Sequence, residues 1–270
     1  ATQGTYPPGS TFKLITLLEY IRENPDTWQD FHYTCTGTYT NGDYVVNCHD
    51  GVAHGELDIY GILGMSCNGA FDTIAQTLNS TKWQKLAEDF GYNQSDRSQV
   101  DFAYKKSHFD IASDDSVWSR MQLAIGQGTT TVTPLLNLMM YAAIANDGVM
   151  MTPYLVDHYL DANGNVVEQT KPKALRSVCT KAEAELMDEF LTYVITNGTA
   201  AAGGSQYARV SGKTGSAQYD STKNYHAWFC GYGTNDVSEI AVCVMIEKGG
   251  AGGIVAAPVA GQIFDYYFSR

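Results

Sequence analysis

A chain of 270 residues with 44% apolar residues can bury one substantial core, or one core with an inserted lobe, and does not require several independent domains. Its 17 basic residues against 29 acidic ones give a formal net charge of -12, and Lys and Arg are scattered singly, so a nucleic-acid partner is excluded on charge. No stretch approaches the run of about 20 apolar residues that a membrane helix requires.

In chain order, the first predicted element is a helix over residues 10–24. Phe12, Ile15, Leu18 and Ile21 recur at helical spacing, Pro7, Pro8 and Gly9 precede them, and Asn24-Pro25 ends the run. Ser10 then stands at a helix N-terminus, and the chain opens almost on this motif, as a piece with a missing upstream part would. From 26 to 204 the texture is helices and irregular loops. The clearest helix is "TPLLNLMMYAAIANDG", with Thr133 as cap, Pro134 in the first turn and Gly148 at the C-terminal cap. A second runs over 180–197. The last 65 residues change character. "ARVSGKTGSAQ", "YHAWFCGYG" and "EIAVCVMIEK" read as a three-strand antiparallel meander, and a closing helix over 255–269 follows the loop "GGAGG". The expected organisation is a sheet-containing half made of 1–25 and 205–270, with 26–204 as a mainly helical lobe.

The stretch "YPPGSTFK" carries the chemistry. A serine hydroxyl is a poor nucleophile until a base removes its proton, and a spacing of three on a helix puts the Lys13 amine on the same face as Ser10. Lys13 must then lose its own proton readily, through burial or a second cation nearby, so another lysine is expected beside it. The helix N-terminus adds the free N–H of Ser10 as half of an oxyanion hole, a donor worth about 3 kcal/mol in the transition state. Alone, Ser-x-x-Lys is ordinary capping. Two further patterns, "SCN" at 66–68 and "KTG" at 213–215, each present once, change that.

Together these are the Ser-x-x-Lys, Ser-x-Asn and Lys-Thr-Gly set, in order, of serine β-lactamases and penicillin-binding proteins. With "HGELDIYGILGMSCNGAF", "AIGQGTTTVTPLLNLMMYAAIANDG" and "VSGKTGSAQ" followed by "HAWFCGYG", nearly the whole chain resembles the transpeptidase domain of class B penicillin-binding proteins. The resemblance implies an α+β fold: an antiparallel sheet flanked by helices, with an inserted all-helical lobe and the active site in the cleft between them. Two of the five expected strands would lie upstream of Ala1. It implies that Ser10 is acylated, Lys13 is its base, Ser66 relays a proton to the leaving group, Asn68 hydrogen-bonds the substrate amide and Lys213 supplies positive potential. Thr214 and Ser216 would bind the substrate carboxylate, with the Ser216 N–H as second oxyanion donor. Gly215 would keep the strand edge clear for a peptide. The implied reaction is D,D-transpeptidation of peptidoglycan stem peptides without a catalytic cofactor, trapped by β-lactams, with a D,D-carboxypeptidase or a non-catalytic penicillin-binding sensor as alternatives. The Glu-x-x-Leu-Asn pattern of class A β-lactamases is missing, and the class D pattern of a Ser-x-Val with a Tyr-Gly-Asn fails, since "FGYN" at 90–93 has its residues in the wrong order. The resemblance also implies the extracytoplasmic face of a bacterial membrane, an anchor outside this chain, and cell-wall synthesis proteins as partners through that missing part.

Cys35, Cys48, His54 and Cys67 fall within 33 residues, and three thiolates with an imidazole form a complete four-coordinate zinc set. Cys67 lies between Ser66 and Asn68, so its side chain would point away from the cleft and a metal there would brace that loop. A Cys35–Cys48 disulfide and buried free thiols are the other two states these residues allow. Cys179, Cys230 and Cys243 read as packing. His226 is a candidate for the cleft wall or the surface.

Overall fold

The computed structural model describes residues 1–94, 100–220, 222 and 224–270. A 3-10 turn, Gly9–Phe12, leads directly into α1 (Lys13–Glu23). Then come β1 (His32–Cys35), β2 (Thr38–Asn41), β3 (Tyr44–Asn47), β4 (Gly55–Asp58), α2 (Ile59–Gly64), α3 (Asn68–Ala75), α4 (Ser80–Asp89), α5 (Val117–Ala124) and α6 (Pro134–Ala145). The chain continues through β5 (Val149–Met151), β6 (His158–Leu160), β7 (Val166–Gln169), β8 (Ala174–Ser177) and α7 (Lys181–Asn197). It closes with β9 (Arg209–Gln218), β10 (Tyr225–Thr234), β11 (Glu239–Ile246) and α8 (Gly252–Phe268).

The helix predicted over 10–24 is present, with its first turn tightened to 3-10 geometry. Residues 13–19 of α1 are all buried, so α1 runs through the interior between sheet and lobe. Phe12 opens it inside an aromatic cluster with Trp83, Tyr92 and Phe109. Caps fix the other long helices. Thr133 accepts from the Leu136 N–H, and Thr180 and Glu183 form a reciprocal capping box. The C-cap of α6 is Asn146; Gly148, two residues on, turns the chain at φ +82 instead.

The meander is confirmed: β9, β10 and β11 form one antiparallel sheet in the order β11-β10-β9. Its two faces are covered differently. Even-numbered β9 side chains face α8, where Ser216 Oγ accepts from Gly252 N, while odd-numbered ones face α7 and the start of α1, where Ser211 Oγ meets Thr192 Oγ1. The lobe also holds four two-stranded ribbons, β1–β4, β2–β3, β5–β8 and β6–β7, beyond the helices expected there. Among the described residues no strand pairs with the second edge of β11.

Candidate active site

Ser10 sits on the 3-10 turn, which packs close against β9. Gly9 is at φ +55 and donates its N–H to Gly126 O at 2.9 Å, and a Cβ on Gly9 would stand 3.1 Å from Ala217. Ser10 lines the cleft, and its N–H belongs to the first turn, where no intrahelical acceptor exists. Lys13, the first residue of α1, is fully buried. Its Nζ donates to Asn68 Oδ1 at 2.7 Å, Ser66 O at 2.8 Å and Ser66 Oγ at 3.3 Å. Those contacts match the three protons of an ammonium, and Ser10 is not among them. Burial lowers the Lys13 pKa to about 8, against the opposing pull of Cys67, Cys48 and Asp72.

Ser66 lies between α2 and α3 at φ +54, a strained conformation for a residue with a side chain. Backbone bonds on both sides hold it there: Ser66 N donates to Leu63 O at 3.1 Å and Cys67 N to Ile62 O at 2.9 Å. The result sets Ser66 Oγ between two lysines, since Lys213 Nζ also donates to it at 2.9 Å and to Thr214 O at 3.0 Å. Lys213 is the second lysine expected from the chemistry of Lys13. It too is fully buried, and burial followed by the Lys13 charge depresses its pKa strongly. Asn68 accepts from Lys13 and spends one amide hydrogen on Asn47 O at 2.8 Å, leaving the other for a ligand. Asn47 was not anticipated. Nor was Asp72, one turn after Asn68, fully buried with both carboxylate oxygens unbonded among the described residues; burial raises its pKa well above the usual range, with Lys13 opposing, which favours the neutral acid.

The third wall is β9. Thr214 and Ser216 line the cleft as expected, Thr214 Oγ1 lying 3.0 Å from Thr199 Oγ1, a cleft residue with no sequence signal. A Cβ on Gly215 would meet Pro8 O at 2.9 Å and Thr11 Cγ2 at 3.2 Å, so glycine there admits the Ser10 turn against the strand. His226 is 7% exposed, accepts from Lys248 N and stacks on Tyr219, outside the cleft lining. The cleft itself is about 1400 Å³, with Trp118 and Gln122 of α5 on its far side.

Cys35, Cys48, His54 and Cys67 converge, their donor atoms all within 4.8 Å of one another. Sγ of Cys48 is 3.6 Å from that of Cys35 and 3.8 Å from that of Cys67, and Cys35 Sγ is 3.3 Å from His54 Nδ1. The hydrogen bond from Cys67, with backbone N–H groups of Gly69 and Asn68, pulls the Cys48 pKa down against its burial, which favours a thiolate. The cluster grips Asn68 from both sides: Cys67 precedes it, and Cys48 follows the Asn47 whose carbonyl holds it.

A sequence profile of the penicillin binding protein transpeptidase domain matches residues 1–265. The chain belongs to this family. Within it, the chain is 28% identical to Stage V sporulation protein D of Bacillus subtilis over 96% of its own length and 41% of that protein's. It is 27% identical to Peptidoglycan D,D-transpeptidase MrdA of Acinetobacter baumannii over 99% of its length and 43% of that protein's. The crystal structure of the D,D-transpeptidase domain of a peptidoglycan glycosyltransferase from Eggerthella lenta superposes with a TM-score of 0.86 at 28% identity, covering 98% of this chain and 65% of that one. This penicillin-binding protein transpeptidase domain thus spans less than half of either curated relative, and its α+β fold is that of the solved domain.

Proposed function

We propose that this domain is a peptidoglycan D,D-transpeptidase that works by serine acyl transfer and is acylated by β-lactams. The observation that carries the reading is the convergence of Ser10, Lys13, Ser66, Asn68 and Lys213 on one cleft beside β9. Lys13, neutral, takes the proton from Ser10 Oγ as it attacks the penultimate D-alanine carbonyl. The N–H groups of Ser10 and Ser216 receive the developing oxyanion. Ser66, hydrogen-bonded by both lysines, passes a proton to the departing D-alanine amine, and Thr214 and Ser216 hold its carboxylate near the Lys213 charge. An amine from a neighbouring stem peptide then resolves the ester and regenerates Ser10. No cofactor takes part in these steps.

The test is mass spectrometry with a labelled penicillin, followed by a D-Ala-D-Ala peptide with and without an amine acceptor. A slowly reversed single adduct on Ser10 and a cross-linked product support the reading. Hydrolysis alone would make the domain a D,D-carboxypeptidase, stable acylation without peptide turnover a sensor, and rapid penicillin hydrolysis a β-lactamase.

We also propose that Cys35, Cys48, Cys67 and His54 hold a structural zinc ion. Tetrahedral bonds of about 2.3 Å separate sulfur ligands by about 3.8 Å, close to the sulfur spacing here. A Cys35–Cys48 disulfide would leave Cys67 and His54 converging without purpose. Metal analysis should give one zinc per chain, and chelation should lower Tm; a metal-free protein with an intact disulfide would reject the site. We place the domain outside the cytoplasmic membrane, since the stem peptides it would cross-link lie there. Protease accessibility on intact spheroplasts tests that placement.

A further inference from the structure

The β9 edge that faces Ser10 does not run open beyond the cleft. With its carboxamide oriented to satisfy both contacts, the Gln127 side chain donates to Gln218 O at 3.1 Å and accepts from Gln218 N at 3.0 Å. A side-chain amide has here taken the place of a peptide group on a neighbouring strand. Because residues of an antiparallel strand alternate between exchanging both bonds with one neighbour and neither, Ser216 and Thr214 must also turn their N–H and C=O toward the cleft, while Lys213, Gly215 and Ala217 bond to β10. The Thr214 carbonyl already accepts from Lys213 Nζ. Ser216 is then the residue that offers N–H and C=O together beside the nucleophile.

Gln127 is firmly placed. It stands between Gly126 and Gly128, at φ +69 and +67, and its N–H donates to Gln122 O at 2.9 Å. Gly126 O in turn holds Gly9 N, so the backbone that presents Gln127 is tied to the turn that presents Ser10. A Cβ on Gly126 would fall 2.3 Å from Gly9 O, which keeps this approach exclusive to glycine.

A donor peptide with its terminal carboxylate at Thr214 and Ser216 lies antiparallel to β9, with its upstream residues running toward Gln218. Its acylated residue pairs with Ser216. The residue two places upstream would pair with Gln218, whose N–H and C=O Gln127 already occupies.

Resting on the transpeptidase reading above, we propose that Gln127 is a specificity-determining residue that ends the pairing edge of β9 at Gln218, so that the acyl donor is held by one strand-like residue pair and its upstream stem residues are steered off the strand. Donors are recognised through the acylated residue and the carboxylate of the departing residue, and lengthening them along the strand direction brings no further main-chain pairing.

The experiment measures kcat/KM for acylation by peptides ending in D-Ala-D-Ala with one, two or three upstream residues. The peptides with two or three upstream residues are also made with an N-methyl group on the residue two places before the acylated one. In the unaltered protein, N-methylation should change kcat/KM less than about twofold. In Gln127→Ala the longest donors should gain about three- to tenfold over the shortest donor in the same variant, and N-methylation should erase the gain. Gln127→Glu, which keeps the acceptor for Gln218 N and loses the donor to its carbonyl, should fall between. A loss of about fivefold or more on N-methylation in the unaltered protein would mean that the peptide displaces Gln127, and identical length dependence in both proteins would mean that Gln127 limits nothing; either overturns the proposal. Should Gln127→Ala not fold, the N-methyl comparison in the unaltered protein decides alone. Penicillin adduct on Ser10 separates the two readings: no adduct fails the transpeptidase assignment and this proposal with it, whereas an adduct with either overturning result fails this proposal only.

Discussion

Ser66 at φ +54 and the two buried lysines around its hydroxyl define the working charge state of the site. In the proposed mechanism Lys13 serves as base only when neutral, and its pKa of about 8 leaves roughly one molecule in ten neutral at pH 7. Because burial lowers this pKa, deprotonation comes earlier than for a free lysine, and the acylation rate should rise about tenfold per pH unit below 8 and level off above it. Stopped-flow penicillin acylation from pH 6 to 9.5 checks this, and a flat profile would remove Lys13 as the titrating base. Lys13→Ala should abolish acylation, while Ser66→Ala should slow it by about 10²- to 10⁴-fold, since one proton-transfer partner is lost. The motif residues were legible in the sequence because their chemistry is written at fixed local spacing. Asn47, Thr199 and Gln127 were not, because each matters only through a partner brought close by folding. The packing demand on Gly215 was hidden for the same reason: Pro8, which an added Cβ would strike, approaches from the opposite end of the chain.

At the scale of elements, the site depends on how the Gly9–Phe12 turn is clamped between β9 and the segment after α5. Gly126→Ala would force a left-handed conformation on alanine and drive a Cβ against Gly9 O, 2.3 Å away, where neither backbone can yield. We expect a loss of about 2–4 kcal/mol, read as a Tm drop of roughly 5–15 °C, together with slower Ser10 acylation at temperatures where the variant is still folded. Unchanged Tm and rate would show that the clamp does not position the nucleophile. The longer helices α1, α6, α7 and α8 could be read in advance from caps and apolar spacing, whereas the shorter α2 to α5 could not be placed individually. Nor could the ribbons. Strands β6 and β7 are exposed along their whole length, so they lack the alternation that announces a half-buried strand. The cysteine loop between β3 and β4 shows the same limit: its ligand types were visible in sequence, and their convergence only in space.

Across the whole molecule, the three-stranded sheet has two unlike edges. The β9 edge faces the cleft and is closed at Gln218, whereas the outer edge of β11 has no strand partner among the described residues. That edge is eight residues long and mostly apolar, the kind that pairs with another chain. The bonding parity follows from β9: Ile240, Val242, Val244 and Ile246 pair with β10, so Ala241, Cys243 and Met245 turn their N–H groups outward. A proline at an outward position removes a donor from the free edge and leaves the β10 ladder whole, whereas one at an inward position breaks the ladder. We therefore expect this chain to self-associate with rising concentration in light scattering. Ala241→Pro should reduce that association and keep penicillin acylation of Ser10, since the cleft lies at the opposite edge. Val242→Pro should instead lower Tm sharply, because its N–H serves β10. A chain that stays monomeric at high concentration, or two prolines with equal effects, would show that the β11 edge is covered in solution or that the strand register differs from the one described.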